Sequence, residues 1–216
     1  MTGWKSLRFI LPGLVCCAAI SQACATTLTG SLSADDSVFT YNFSSTGTQL
    51  YNFYTTSYGG GTNADGTKTA AGGFDPILTL FSSSSGKVIG FGGGAGKCTG
   101  VLVADPTTHL CDDANFTALL TFGSYTLDLT EFPNAAVGKL SDGFLFSGSP
   151  TITGDVCGVR GGKFLESDVA PCVQRTSKFA VNVNPVAAAT PEPSTFLMVF
   201  PALAALVGIN RRRFAW

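Results

Sequence analysis

The chain has 216 residues, 45% hydrophobic and 12% charged, with 13 Lys or Arg against 14 Asp or Glu. Both ends distort these averages. Removing Lys5, Arg8, Arg211, Arg212 and Arg213 from the basic set leaves eight, and removing Glu192 from the acidic set leaves 13, so the stretch 26–190 is acidic by about five charges. That excess argues against a nucleic-acid partner or electrostatic attraction to an anionic membrane, and roughly 165 residues fit one domain with a real core.

In chain order, the first element is a leader. Lys5 and Arg8 precede an apolar run over 9–20, and Ala23-Cys24-Ala25 supplies the small residues a signal peptidase needs, which predicts cleavage before Thr26. A lipid-attachment box at Cys24 would want a leucine and a small residue where Ser21-Gln22 stand. The body, 26–190, is written in strand periodicity, with no sustained helical pattern. Tyr125, Leu127 and Leu129 alternate with polar residues over 124–130, and Phe179, Val181 and Val183 do so over 178–184, as half-buried strands require. Less regular candidates lie at 39–43, 50–54, 77–81, 88–91, 118–122 and 144–146. Turn signals such as Ser85-Gly86, Gly123-Ser124, Asp142-Gly143 and Gly161-Gly162 separate them. Many short strands punctuated by glycine predict an all-β fold, a single jelly-roll-like β-sandwich. Two glycine-rich stretches, 58–73 and 90–100, are expected as surface loops. The last 26 residues form the third part: Pro191-Glu192-Pro193-Ser194, an apolar run, then Arg211-Arg212-Arg213. As a helix, 196–209 would span roughly 21 Å, short of the roughly 30 Å hydrocarbon core, and the arginines favour the cytoplasmic side. The segment is thus expected to insert transiently in the inner membrane with Pro-Glu-Pro on the outer face.

Cysteine usage follows the same division. Cys16, Cys17 and Cys24 fall in the leader, leaving Cys98, Cys111, Cys157 and Cys172. Four exported cysteines read as two disulfides, with sequence neighbours expected to pair, Cys98 with Cys111 and Cys157 with Cys172. Zinc is the competing reading, disfavoured by the lack of a CxxC pair.

Catalysis finds little framing. The single histidine, His109, lies between Cys98 and Cys111, and no G-x-S-x-G elbow occurs, so the expectation is a non-enzyme. A glycosidase needs only two carboxylates and is not excluded by sequence. Asp105, Asp112 and Asp113 crowd the loop beside Cys111, with Asp75 before a strand, and hard carboxylate oxygens on a disulfide-fixed loop suit Ca²⁺. The alternative is that Asp112 and Asp113 cap a turn before a strand near Phe116. Tyr51, Tyr54 and Tyr58 are candidates for stacking on sugar rings, the alternative being a place in the core.

The order Pro191-Glu192-Pro193, short apolar stretch, Arg211 to Arg213 resembles the PEP-CTERM sorting signal of Gram-negative bacteria that make extracellular polysaccharide. The resemblance implies processing by an exosortase and a destination at the cell surface or in the matrix. The middle of the chain carries a second likeness. Asp75-Pro76-Ile77-Leu78-Thr79-Leu80-Phe81, Ser85-Gly86-Lys87-Val88-Ile89, Asp105-Pro106-Thr107, Cys111-Asp112, Gly123-Ser124-Tyr125-Thr126-Leu127 and Leu140-Ser141-Asp142-Gly143-Phe144 resemble, in order, the DVUA0089 family of PEP-CTERM proteins. Its strand pattern is also similar to the bacterial pre-peptidase C-terminal domain, a small β-sandwich. Phe91-Gly92-Gly93-Gly94 stands where many members carry an acidic pair, which removes that part of any inherited calcium site. The expected function is an exported structural or adhesive protein that meets signal peptidase, exosortase and extracellular polysaccharide. A carbohydrate-binding or carbohydrate-active hydrolase domain is the alternative.

Overall fold

A computed structural model describes residues 24–94 and 98–186. In chain order the strands are β1 (Thr26–Ser31), β2 (Phe39–Ser45), β3 (Gln49–Thr55), β4 (Gly61–Thr62), β5 (Lys68–Thr69), β6 (Pro76–Ser82), β7 (Val88–Gly92), β8 (Asn115–Leu120), β9 (Gly123–Glu131), β10 (Leu165–Glu166), β11 (Val173–Gln174) and β12 (Lys178–Pro185). One helical turn, α1 (Ile152–Val156), and a three-residue 3-10 turn complete the described elements. Two four-stranded antiparallel sheets, β1-β12-β3-β8 and β2-β9-β6-β7, face each other as a β-sandwich, and β4-β5 and β10-β11 are small hairpins.

The inward faces follow the alternation in the sequence. Tyr125, Leu127 and Leu129 meet Leu78 and Leu80 from the same sheet and Phe53, Ala118, Leu120, Phe179, Val181 and Val183 from the other. Period-2 side chains put all of these on one side of each strand, so a single-residue slip would expose the whole set. Aromatic rings knit the layers: Phe43 lies 5.7 Å from Tyr125 in its own sheet and 5.9 Å from Phe53 in the other. Gly90 has a packing reason, since a Cβ there would come within 2.4 Å of the Phe116 ring.

Four expectations need correction. The strand expected at 118–122 runs instead over Asn115–Leu120, and Phe122 stands in the turn that carries the chain from one sheet to the other. Residues 144–146 form turns with one bridge, Ala136 to Phe144. They belong to an excursion that runs along the outside of the second sheet, tied by Phe132 N donating to Asp75 O and by Leu140 N donating to Gly86 O. That course accounts for burial of the outward residues Thr126, Asp128 and Thr130 of β9 as well as its inward ones. The stretch 58–73 is no loose surface loop: Asn63 accepts from Thr56 and Asn182, and donates to Thr67 and Thr69, which fastens the β4-β5 hairpin over the outer face of the first sheet. Finally, β1 was absent from the expected strands; its TTLTGS sequence has one aliphatic residue, and pairing with β12 supplies what periodicity did not.

Both disulfides form between sequence neighbours, Cys98 with Cys111 and Cys157 with Cys172, which fits an oxidising compartment. They lie in the two long connections at one end of the sandwich, β7 to β8 and β9 to β12. At the opposite end the turns are short: 46–48 between β2 and β3, 83–87 between β6 and β7, and 121–122 between β8 and β9.

Candidate functional site: the acidic loop end

The long-loop end gathers the buried carboxylates, and three of them anchor backbone. Asp113, just before β8, accepts from Thr55 Oγ1 at 2.7 Å, Tyr58 N at 3.0 Å and Gly59 N at 2.8 Å, while Thr55 Oγ1 accepts in turn from Ala114 N. Gly59 is required here, because a Cβ would fall 1.9 Å from Val103 O. Asp105 accepts from Thr107 N and Thr108 N, an Asx-type turn, and its other oxygen meets Arg175 Nη2 at 2.9 Å. Asp35 accepts from Thr153 N, Thr153 Oγ1 and Phe164 N, binding α1 and the residues before β10 to the loop after β1.

Arg175 is the single buried basic side chain among the described residues. Its Nε donates to Gly73 O, its Nη2 donates to Tyr58 O as well as Asp105, and its guanidinium lies 4.1 Å from the Tyr58 ring centroid. One cation therefore clamps three loops. Burial alone would raise the Asp105 carboxyl, but the bonds from Arg175 and from the Thr108 and Thr107 amides hold it below its ordinary range.

A second set of acids keeps buried oxygens free of such anchors, although Glu166 Oε1 accepts from Asp168 N at 2.9 Å. Asp75 Oδ1, Asp112 Oδ2, Glu131 Oε2 and Glu166 Oε2 are enclosed and meet no hydrogen-bond partner among the described residues. Burial first, then the charges of Asp112 and Glu166, push Asp75 well above the usual carboxylate range. Burial first, then Glu166, raises Asp112 to about 6; burial, then Asp35 and Asp75, raises Glu131 to about 10. Tyr58 joins the group through its hydroxyl, which bonds Thr108 Oγ1 at 2.9 Å; burial and then Glu166 push its phenol up. At neutral pH Glu131 therefore holds a proton where an ordinary carboxyl would be ionised.

The structure disperses the calcium set expected from sequence. Asp105 and Asp113 have their oxygens committed to Arg175 and to backbone amides, so of Asp105, Asp112 and Asp113 only Asp112 keeps a free buried oxygen. Its neighbours are Asp75 and Glu166, of which sequence reasoning singled out only Asp75. The donors are hard oxygens of the kind calcium takes, yet among the described residues no group of three His, Cys, Asp or Glu side chains is gathered closely enough to hold a metal ion as it stands. The alternative, a cap on the turn before the strand near Phe116, does not describe Asp113 either, whose carboxylate accepts from Thr55 and from the amides of Tyr58 and Gly59 in a different connection. The sugar-stacking candidates are overturned: Tyr51, Tyr54 and Tyr58 are all buried, Tyr58 completely. His109 is exposed, with a backbone φ of 61°, and its N donates to Asp105 O. Pro191, Glu192, Pro193, Arg211, Arg212 and Arg213 lie outside the described residues. Among the described residues no helix is long and apolar enough to cross a membrane.

Sequence reasoning missed Arg175, Asp35, Glu131 and Glu166. Arg175 had one legible mark, a lone cation three residues after Cys172; the others are isolated acids that only the fold brings together.

No protein-family model and no curated protein sequence matches this chain. Among solved structures, the pre-peptidase C-terminal domain of a collagenase from Bacillus anthracis is similar at 11% identity and a TM-score of 0.34, over 76% of this chain and 90% of that one. The sandwich assignment rests on the strand pairing described above.

Proposed function

We propose that this chain is the precursor of an exported protein whose C-terminal tail is removed by an exosortase, and whose domain serves a structural or adhesive role, without catalysis, at the cell surface or in an exopolysaccharide matrix. The carrying observation is the terminal order Pro191-Glu192-Pro193, apolar run, Arg211-Arg212-Arg213. Three features support it: β1 begins at Thr26, the residue after the expected leader cleavage; β12 ends at Pro185, shortly before the sorting motif; and two disulfides suit an exported domain. Replacing Arg211, Arg212 and Arg213 by neutral residues, or Glu192 by Ala, should leave unprocessed precursor. Intact mass decides the matter, because a mature protein that still carries residues 214–216 overturns the sorting reading. Polysaccharide binding, with turnover measured in parallel, separates adhesion from the alternative of a carbohydrate-active enzyme.

A second reading is favoured by the free oxygens of Asp75, Asp112 and Glu166. We propose that Ca²⁺ draws these carboxylates together and relieves their mutual repulsion. Millimolar Ca²⁺ should then raise the melting temperature of the wild type and leave Asp112→Asn unmoved. Equal melting curves with and without calcium remove this reading.

A further inference from the structure

The short-turn end of the sandwich differs from the rest of the surface. Phe122 is 82% exposed and Leu119 64% exposed, and Leu50, the register partner of Leu119 across β3 and β8, and Val186 are each 39% exposed. Val186 N donates to Leu50 O at 2.8 Å, so the chain leaves the described structure beside this apolar group. The immediately flanking segments, 44–54, 117–127 and 183–186, contain no Asp, Glu, Lys or Arg; the nearest charged side chains at this end are Lys87 in the 83–87 turn and Lys139 and Asp142 of the turn tied to Gly86. A full phenyl ring held on a two-residue turn has no packing role in the sandwich.

We propose that this end is a lipid-docking face, which seats the domain on the outer leaflet of the membrane that its own C-terminal tail enters; the proposal rests on the sorting reading above. The tether argues for a bilayer rather than a soluble partner. Nine residues, 187–195, separate Val186 from the apolar run that starts at Phe196, and fully extended they reach only about 30 Å. While the tail is inserted, the tether therefore keeps the Val186 end of the domain within about 30 Å of the interface, where apolar rings and aliphatic side chains partition favourably beside uncharged polar groups. Charge gives the orientation. The buried carboxylates cluster at the opposite end, so seating the Phe122 end turns the acidic end away from lipid phosphates, and the net acidity that opposes electrostatic adsorption does not oppose this apolar one.

Fluorescence tests it cleanly, since the tryptophans are Trp4, in the leader, and Trp216, in the tail. The leader-cleaved, tail-bearing form is produced in a host without the processing enzyme. It carries Trp216→Phe with either Phe122→Trp or, as a reporter at the acidic end, Val159→Trp, and is mixed with phosphatidylcholine vesicles. Flotation with the vesicles reports tail insertion independently. Docking predicts that the Phe122→Trp emission shifts to the blue and loses at least half its intensity with lipids brominated near the headgroup, while Val159→Trp changes little. Failure to float overturns the tail reading and docking with it. Flotation with an unquenched Trp at 122 overturns docking alone. A blue shift without bromolipid quenching also overturns it, because the face is then covered by protein, such as a second copy of the chain.

Discussion

The two ends of this sandwich are built by opposite means. At one, turns of two to five residues join the strands, no carboxylate is buried, and the apolar groups are left in solvent. At the other, long connections are fastened by two disulfides, a buried ion pair and carboxylates that cap backbone amides. Local turn chemistry suffices where strands are close neighbours. Where the chain must travel far between sheets, each loop needs a polar anchor inside the protein, because buried amides require partners.

Substitutions at the loop end should therefore cost far more than those at the turn end. The largest effect is expected at the clamp: Arg175→Met leaves Asp105 buried without its cation and should cost about 3–5 kcal/mol by denaturant unfolding. The double variant Arg175→Met with Asp105→Leu should recover part of that loss; no recovery would mean that the bonds to Gly73 and Tyr58 matter more than the ion pair. Next come the disulfides, whose partners lie 13 and 15 residues apart; replacing either pair by serine should cost about 3 kcal/mol. A separate, pH-dependent effect is expected at Glu131. Its carboxyl is raised to about 10 in the folded state, above its unfolded value, so its contribution is full at acid pH and is lost as pH rises toward 10. Glu131→Gln cannot ionise and should flatten the decline of melting temperature with pH over that window; an unchanged slope would refute the assignment. Asp112, raised to about 6, should add a decline between about pH 4 and 6 that Asp112→Asn abolishes. Smallest of all, Leu119→Ser at the turn end should move stability by no more than about 0.5 kcal/mol. A loss comparable to that of a disulfide would show that the two ends are not built differently.

The contrast also marks what could be read from the sequence. Strands β9 and β12 were legible because Tyr125-Leu127-Leu129 and Phe179-Val181-Val183 alternate without interruption, and each disulfide closes a short loop that invites local pairing. The loop end was legible only in part. Asp105, Asp112 and Asp113 fall in one short stretch of sequence and drew notice together, yet the fold gives Asp105 to Arg175, 70 residues later, and Asp113 to the backbone of 58–59. Period and composition say nothing about such pairings, because a buried carboxylate and a solvated one are spelled alike. Strand β1 was missed for a related reason: its side chains are small and polar, and its place is set by β12 rather than by any pattern of its own.

That pairing has a consequence for the order in which the sheet can form. The first sheet is arranged β1-β12-β3-β8, so the last strand made is an interior strand, flanked by the first strand and by β3. Until residue 185 emerges, β1 has no neighbour, and β3 offers one unpaired edge. A chain ending at Ser177 should accordingly show no hydrogen-exchange protection in β1, and protection there would contradict the sheet order. The domain cannot close vectorially from its N-terminus; it waits for nearly the whole chain, because its final strand must thread between two others.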